Sequence, residues 1–259
     1  MKCGALSLLL ISSQITQAYT ILDHIEQYLV DQQVAKILDR HSSSLFTKLK
    51  NVDKHGGQHG VWTFDDLPDY FVKFGLSRIW GMELMQQVID TNHLDLITLP
   101  DKRIYHLKGR PRQVNNVNYC VVVKKVHPQG SHQVTEEQMR QLIVLIRETK
   151  YISLTHDNYL HVKDGKLCII DTESNYDADL EVKGYLRLLG YGHNPATDFT
   201  EGALKLLFKE MKRLLDQEPD SAKVQRILEE AGKYLQQDKS QKWDCRTYFK
   251  EYFAGYRIV

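Results

Sequence analysis

The sequence predicts an α+β protein with a β-rich first half and a mainly helical second half. Three short runs rich in β-branched and aromatic residues predict strands at 61–64, 70–74 and 119–123. Pro128, Gln129 and Gly130 form a natural boundary between the halves, because this composition interrupts regular structure. Apolar residues then recur at helical spacing in four segments, 180–189, 200–215, 221–235 and 243–253.

Length and charge limit the classes of protein to consider. A chain of 259 residues is long enough for one large domain or for two lobes with a core. The 34 basic and 33 acidic residues nearly cancel, giving a net charge of +1, which predicts no nucleic-acid partner. The apolar content of 42% and the charged content of 26% are those of an ordinary globular protein rather than a disordered one.

The N-terminal residues 1–18 resemble a secretory signal peptide. Lys2 is followed by the apolar run 5–11, by polar residues, and then by the small-x-small pattern at 16–18. The run is too short for a stable membrane span. This interpretation predicts a secreted or extracytoplasmic protein; the alternative is the first turns of a buried helix in a cytoplasmic one.

Residues 19–126 would then form a leading helix and a β-rich region. Thr20 is placed to cap a helix whose apolar residues recur at helical spacing as far as Leu38. Further strands are expected at 96–99 and 104–107, separated by a turn at 100–102. Cys120 and Cys168 lie in strand-like apolar runs, which favours buried thiols over a disulfide or a metal site.

One lysine interrupts a predicted strand. Lys73 lies between Val72 and Phe74, and a lysine that faces inward from a sheet requires a partner because burying an unpaired charge is unfavourable. The helix expected at 76–92 contains Glu83 as the acidic residue of its interior. The alternative is an exposed lysine on an edge strand and a solvated glutamate.

The stretch 151–174 has the strongest pattern of a functional site. Strands at 159–162 and 167–170 flank a Lys-Asp-Gly turn, so they predict a β-hairpin. Asn158 precedes the first strand and Asp171 ends the second, and their oxygens are ligands of the kind that Mg²⁺ takes. The alternative is a surface hairpin in which both side chains make ordinary turn hydrogen bonds.

This stretch resembles the protein-kinase-like fold, including its aminoglycoside and choline kinase branches. Those proteins place a metal-binding Asn, then a hairpin, then a metal-binding Asp. Asn158 lies 13 residues before Asp171, and the sequence Ile-Asp-Thr-Glu at 170–173 is similar to the turn of small-molecule kinases. Thr135 and Gln138 begin a capping box, and the helix that they open stands where that family has a long helix before its catalytic loop.

The resemblance implies a two-lobed fold, with a small antiparallel-sheet lobe within 19–126 and a mainly helical lobe at 127–259. It implies ATP and Mg²⁺ as cofactors, with Asn158 and Asp171 as the metal ligands. Lys73 would position the phosphates and pair with Glu83. Gly57 and Gly60 belong to a glycine-rich loop that could cover the phosphates.

The sequence departs from the family at the catalytic position. Ser153 stands where the family pattern has its catalytic Asp, five residues before Asn158. Asp157 is the nearest carboxylate to orient an acceptor hydroxyl on a protein or a small molecule. Three interpretations follow: a divergent phosphotransferase, a pseudokinase that binds a partner or nucleotide without turnover, and a secreted α+β protein with no nucleotide site.

Overall fold

The protein is an α+β protein with an antiparallel sheet and several helices, as predicted. Among the described residues, none of the helices is both long and apolar enough to cross a membrane. The computed structural model describes residues 29–40, 50–51, 61–74, 77–106, 119–130, 132–151, 154, 158–172, 180–190, 198–217, 226, 228–232 and 245–254.

The strands are β1 (Lys50–Asn51), β2 (Val61–Thr63), β3 (Tyr70–Phe74), β4 (Ile97–Thr98), β5 (Lys102–His106), β6 (Tyr119–Lys124), β7 (Tyr159–Val162) and β8 (Lys166–Ile169). The helices are α1 (Gln32–Arg40), α2 (Ser77–Thr91), α3 (Glu136–Thr149), α4 (Leu180–Gly190), α5 (Glu201–Gln217) and α6 (Cys245–Tyr252).

Contacts divide the chain into two compact units. The first comprises the described parts of Met1–Trp80 and Asp101–Lys125, and the second those of Gly81–Pro100 and Val126–Val259. The first unit contains the five-stranded sheet, in the order β1-β2-β3-β6-β5. Strands β3 and β6 are antiparallel neighbours, so the strands predicted at 70–74 and 119–123 lie in one antiparallel sheet.

Helix α1 packs against one face of this sheet. Val34 and Leu38 of α1 join a buried apolar cluster with Val72 and Val122 of the central strands. The hydroxyl of Tyr105 on β5 donates a hydrogen bond to the Asp39 carboxylate, which fixes the helix to the sheet edge. Burial, followed by the contact with Asp39, raises the pKa of this tyrosine above its ordinary value, so the hydroxyl keeps its proton.

Two details of the first half differ from the sequence prediction. The helix predicted to run continuously from Thr20 to Leu38 is wrong at Leu29, because Leu29 forms a parallel bridge with Ile104. Helix α1 begins only after Asp31, whose carboxylate accepts a hydrogen bond from the Gln33 N–H (2.7 Å). Strand β5 lies at the edge of the sheet and has backbone groups free to pair, so the segment at Leu29 pairs with β5 instead of forming helical hydrogen bonds. Lys102, expected in a turn, is the first residue of β5 and is buried.

The two cysteines behave as predicted. Cys120 and Cys168 are both free thiols and both buried. Burial raises the pKa of the Cys120 thiol to about 12, so it stays protonated and unreactive at neutral pH.

The second unit has a helical core and a small sheet. Helix α3 contacts α4 and α5, and its predicted capping box is confirmed by the reciprocal bonds between Thr135 and Gln138. The helices predicted at 180–189, 200–215 and 243–253 are observed as α4, α5 and α6. The three-stranded sheet has the order β4-β8-β7, with β4 parallel to β8.

Candidate functional site

The predicted hairpin is present as β7 and β8. The two strands are antiparallel, with Tyr159 opposite Ile169, and the Ile170 N–H donates to the Asn158 carbonyl (2.9 Å). Asn158 therefore lies at the open end of the hairpin, next to the strand that leads into Asp171. Both residues are half-buried, so they are anchored by the hairpin while part of their surface is exposed.

The hairpin closes through the predicted Lys-Asp-Gly turn. Asp164 and Gly165 have φ values of 64° and 68°, in the left-handed region that glycine adopts freely and that aspartate tolerates. The Gln138 amide of helix α3 donates to the Gly165 carbonyl (2.8 Å), and this bond ties the turn to the start of that helix.

The C-terminal end of α3 leads into a contact with the open end of the hairpin. Lys150 ends α3 in the left-handed conformation (φ 53°) and directs the chain into Tyr151, which is only 2% exposed. The Tyr151 hydroxyl donates a hydrogen bond to the backbone carbonyl of Asp171. Helix α3 thus holds the hairpin at its turn and at the residue predicted to bind metal.

Tyr151 contacts the backbone of Asp171, and no sequence pattern identifies this contact. Its aromatic side chain directly follows an amphipathic helix, and this position alone could have indicated burial. The partner of its hydroxyl is a backbone carbonyl, which no residue pattern reveals. The contact nevertheless fixes the backbone from which the Asp171 carboxylate projects.

The Tyr151→Phe substitution is expected to lower the free energy of unfolding by about 1–2 kcal/mol, because the Asp171 carbonyl loses its donor. Urea denaturation measures the change. The matched control is Tyr252→Phe on α6, where the ring is only half-buried and no comparable loss is expected. An equal effect at both positions would show that the hydroxyl of Tyr151 does not anchor Asp171.

The apolar layer beneath the hairpin is continuous with the core of the second unit. Tyr159, Leu167 and Ile169 all belong to that core, and Thr172 after Asp171 is fully buried. Burial raises the pKa of Tyr159, and the nearby charge of Asp198 raises it further, so this phenol also stays neutral. The open end of the hairpin therefore packs on the buried core of the second unit.

A third strand and a helix residue support the hairpin from the side. The Gln141 side chain accepts from the Leu96 N–H (2.9 Å) and donates to the Asp95 carboxylate (2.7 Å). These bonds secure the segment whose next residues, β4, pair with β8. The sequence predicts a strand near this position but not the strand with which it pairs.

The segment predicted as a boundary between lobes lies against β7. The Gln129 N–H donates to the His161 carbonyl (2.8 Å), and the rings of His132 and His161 meet edge to face with centroids 5.9 Å apart. Gly130 adopts a φ of 64°, which lets the chain turn between these contacts.

Lys73 belongs to the first unit. It lies on β3 between Val61 of β2 and Val121 of β6, and it is 8% exposed. The prediction of an inward-facing lysine is confirmed by this burial. Glu83 is half-buried on α2, in the second unit, and its pairing with Lys73 stays a prediction.

Four predicted site residues lie outside the described part of the chain. They are Gly57 and Gly60 of the glycine-rich loop, Ser153 at the catalytic position, and Asp157 as the candidate for orienting an acceptor. Their roles stay predictions.

The donor chemistry at the hairpin fits Mg²⁺. Within the described residues, no group of three or more His, Cys, Asp or Glu side chains is placed to hold a metal ion. Mg²⁺ does not require such a group, because it is commonly bound by one or two protein oxygens together with water and phosphate. One amide and one carboxylate at the same end of a hairpin match that requirement.

No model of a known protein family matches this sequence, and no curated protein matches it either.

Proposed function

We propose that the chain is a divergent kinase-like protein that binds ATP with Mg²⁺ and transfers a phosphate to a hydroxyl group of a protein or a small molecule. The observation that supports this best is the hairpin that brings Asn158 next to the strand leading into Asp171. Gln138 of the preceding helix α3 holds the turn of this hairpin, and Tyr151, shortly after that helix, holds its open end. A buried lysine on an antiparallel sheet earlier in the chain, Lys73, is the second support.

Each residue has a separate role in this proposal. The Lys73 ammonium contacts the phosphates and Glu83 is its counter-charge, while the Asn158 and Asp171 oxygens hold the metal. Bound Mg²⁺ neutralises phosphate charge, and phosphoryl transfer depends mostly on such neutralisation and on positioning. Tyr151 contributes indirectly, because its bond to the Asp171 carbonyl fixes the metal ligand.

A pseudokinase is the second candidate, favoured by one observation. Ser153 stands where the resemblance places a catalytic Asp, and a serine cannot accept the acceptor's proton as a carboxylate does. In this case the nucleotide site serves binding without turnover. Asp157 is the residue that separates the two candidates.

Titration with ATP in the presence of Mg²⁺ is expected to raise the melting temperature of the protein. A ligand at about 100 times its dissociation constant stabilises the folded state by about 2.7 kcal/mol. Differential scanning fluorimetry at millimolar nucleotide measures the shift, with ATP in EDTA as the control. If the melting temperature stays constant in both conditions, the nucleotide-binding proposal fails.

A phosphotransfer assay on the wild type and on Asp157→Ala distinguishes enzyme from pseudokinase. The enzyme candidate predicts transfer that the substitution abolishes, with nucleotide binding retained. Binding without detectable transfer in either protein excludes the enzyme and leaves the pseudokinase.

A further inference from the structure

Two buried lysines lie on the same face of the five-stranded sheet. Lys73 is 8% exposed and Lys102 is 1% exposed. Lys73 is paired with Val121 of β6 and Lys102 with Val123 of the same strand. Residues that pair directly across antiparallel strands share a face, and so do residues two apart along one strand. Both side chains therefore leave the sheet on the face opposite α1.

The residues paired with the two lysines on the neighbouring strands are apolar. Val121 and Val123 of β6 lie between the two lysines on this face, and Ile104 follows Lys102 by two residues on β5; each of the three is less than 5% exposed. Two strand spacings of about 4.8 Å and an offset of two residues of about 3.4 Å each place the two Cα atoms about 12 Å apart. Two flexible four-carbon stems can bring their ammonium groups to one polyanionic ligand over that distance.

The charged residues within the five strands of this sheet are all basic. The sequences of the five strands of the first unit contain Lys50, Lys73, Lys102, Arg103 and Lys124 but no Asp or Glu. A further lysine, Lys125, follows β6 and lies over the ring of Phe71, with its Nζ 5.0 Å from the ring centroid. Phe71 pairs with Val123, in the same row as Lys102, so this face has a third cation at its end.

Burying a charged lysine among these apolar residues does not by itself stabilise the folded protein. Replacing a buried ion pair by apolar residues of similar volume is often neutral or stabilising. Neither lysine is isolated in the structure, so a purely structural ion pair is the competing explanation. The two explanations differ in what they predict for stability and for ligand affinity.

We propose that Lys102 is a second anion-binding residue, which acts with Lys73 on the polyphosphate of a single ligand. The assignment of that ligand as a nucleotide rests on the proposed function; the anion site itself rests on the placement of the two lysines. Lys102 supplies a phosphate contact in addition to that of Lys73, and so selects for a ligand with several phosphate groups.

The test is Lys102→Met, with Lys73→Met in parallel and Lys124→Met as the matched control. Lys124 is an exposed lysine of the same sheet, and it pairs with Tyr70 of the row that faces α1. Calorimetric titration with tripolyphosphate and with ATP and Mg²⁺ is expected to show affinities at least about tenfold lower for Lys102→Met and Lys73→Met. Lys124→Met is expected to bind as the wild type does, and Lys102→Met is expected to melt no lower than the wild type.

The outcomes separate this inference from the proposed function. If the wild type binds ATP and Lys102→Met binds both ligands equally well, the inference is wrong and the kinase-like proposal stands. If the wild type binds tripolyphosphate through both lysines but not ATP, the anion site stands and the nucleotide proposal fails. If the wild type binds neither tripolyphosphate nor ATP, both the anion site and the nucleotide proposal are wrong. If Lys102→Met and Lys102→Gln both fail to fold, the lysine is a structural ion-pair partner and the inference is also overturned.

Discussion

The Asp171→Asn substitution is expected to weaken Mg²⁺-dependent ATP binding by at least about a hundredfold, because partners that only support a metal ligand already contribute 10- to 100-fold and Asp171 is proposed as a ligand itself. The protein should stay folded. The core beneath the hairpin is formed by Tyr159, Leu167 and Ile169, and none of these contacts requires the carboxylate charge. Isothermal titration with ATP, with and without Mg²⁺, measures the loss, and circular dichroism verifies the fold.

The same substitution in the same hairpin provides the control. Asp164 is exposed in the turn at a φ of 64°, a conformation that asparagine adopts readily, so Asp164→Asn should bind ATP as the wild type does. Retention of Mg²⁺-dependent binding by Asp171→Asn would remove this residue from the metal site. A loss of folded structure would instead assign the carboxylate to the fold.

Local structure in this chain was predictable because local residues determine it. The Lys-Asp-Gly turn requires left-handed backbone conformations at Asp164 and Gly165, and the flanking apolar strands align once that turn forms. The capping box at Thr135 is equally local, since it joins residues three apart. The same reasoning placed Asn158 beside the end of β8, because a hairpin brings its two open ends together.

Long-range pairing was not predictable from the same patterns. Strand β4 has only two residues and pairs with β8 about 70 positions later, and Leu29 bridges to Ile104 instead of continuing a helix. Periodicity indicates which face of an element is apolar but not which distant edge accepts it. For the same reason the sequence predicts a turn at Lys102, because Pro100 and Asp101 before it are turn residues. Only the pairing of Lys102 with β6 shows that it begins a strand.

The residues of the candidate site were also predictable to different degrees. The burial of Lys73 could be inferred from a single charge within an apolar strand, and the structure confirms it. The contact between Tyr151 and the Asp171 carbonyl could not, because every residue has a backbone carbonyl and only the tertiary fold selects one. Side-chain identity therefore pointed to the groups that could bind a ligand, and the fold revealed what holds one of them in place.

The Gly184→Ala substitution is expected to lower the free energy of unfolding by about 3 kcal/mol, through overpacking of a tight helix contact. Gly184 is buried on α4, where an added Cβ would lie 2.7 Å from the Ile146 Cγ2 and 2.9 Å from the Tyr151 carbonyl oxygen. The second of these neighbours is backbone, so rotation of a side chain cannot relieve the contact. Urea denaturation monitored by circular dichroism measures the loss.

Gly232→Ala is the matched control, because an added Cβ at Gly232 meets nothing within 4 Å and the residue lies in the helical stretch 228–232. There the methyl group should raise stability by up to about 1 kcal/mol, the usual advantage of alanine over glycine in a helix.

At Gly184 the displaced atom belongs to Tyr151, whose hydroxyl holds the Asp171 carbonyl, so the folded fraction of Gly184→Ala should also bind ATP with Mg²⁺ more weakly. If Gly184→Ala proves as stable as Gly232→Ala, helices α3 and α4 do not approach each other this closely, and the link from α4 through Tyr151 to Asp171 is wrong.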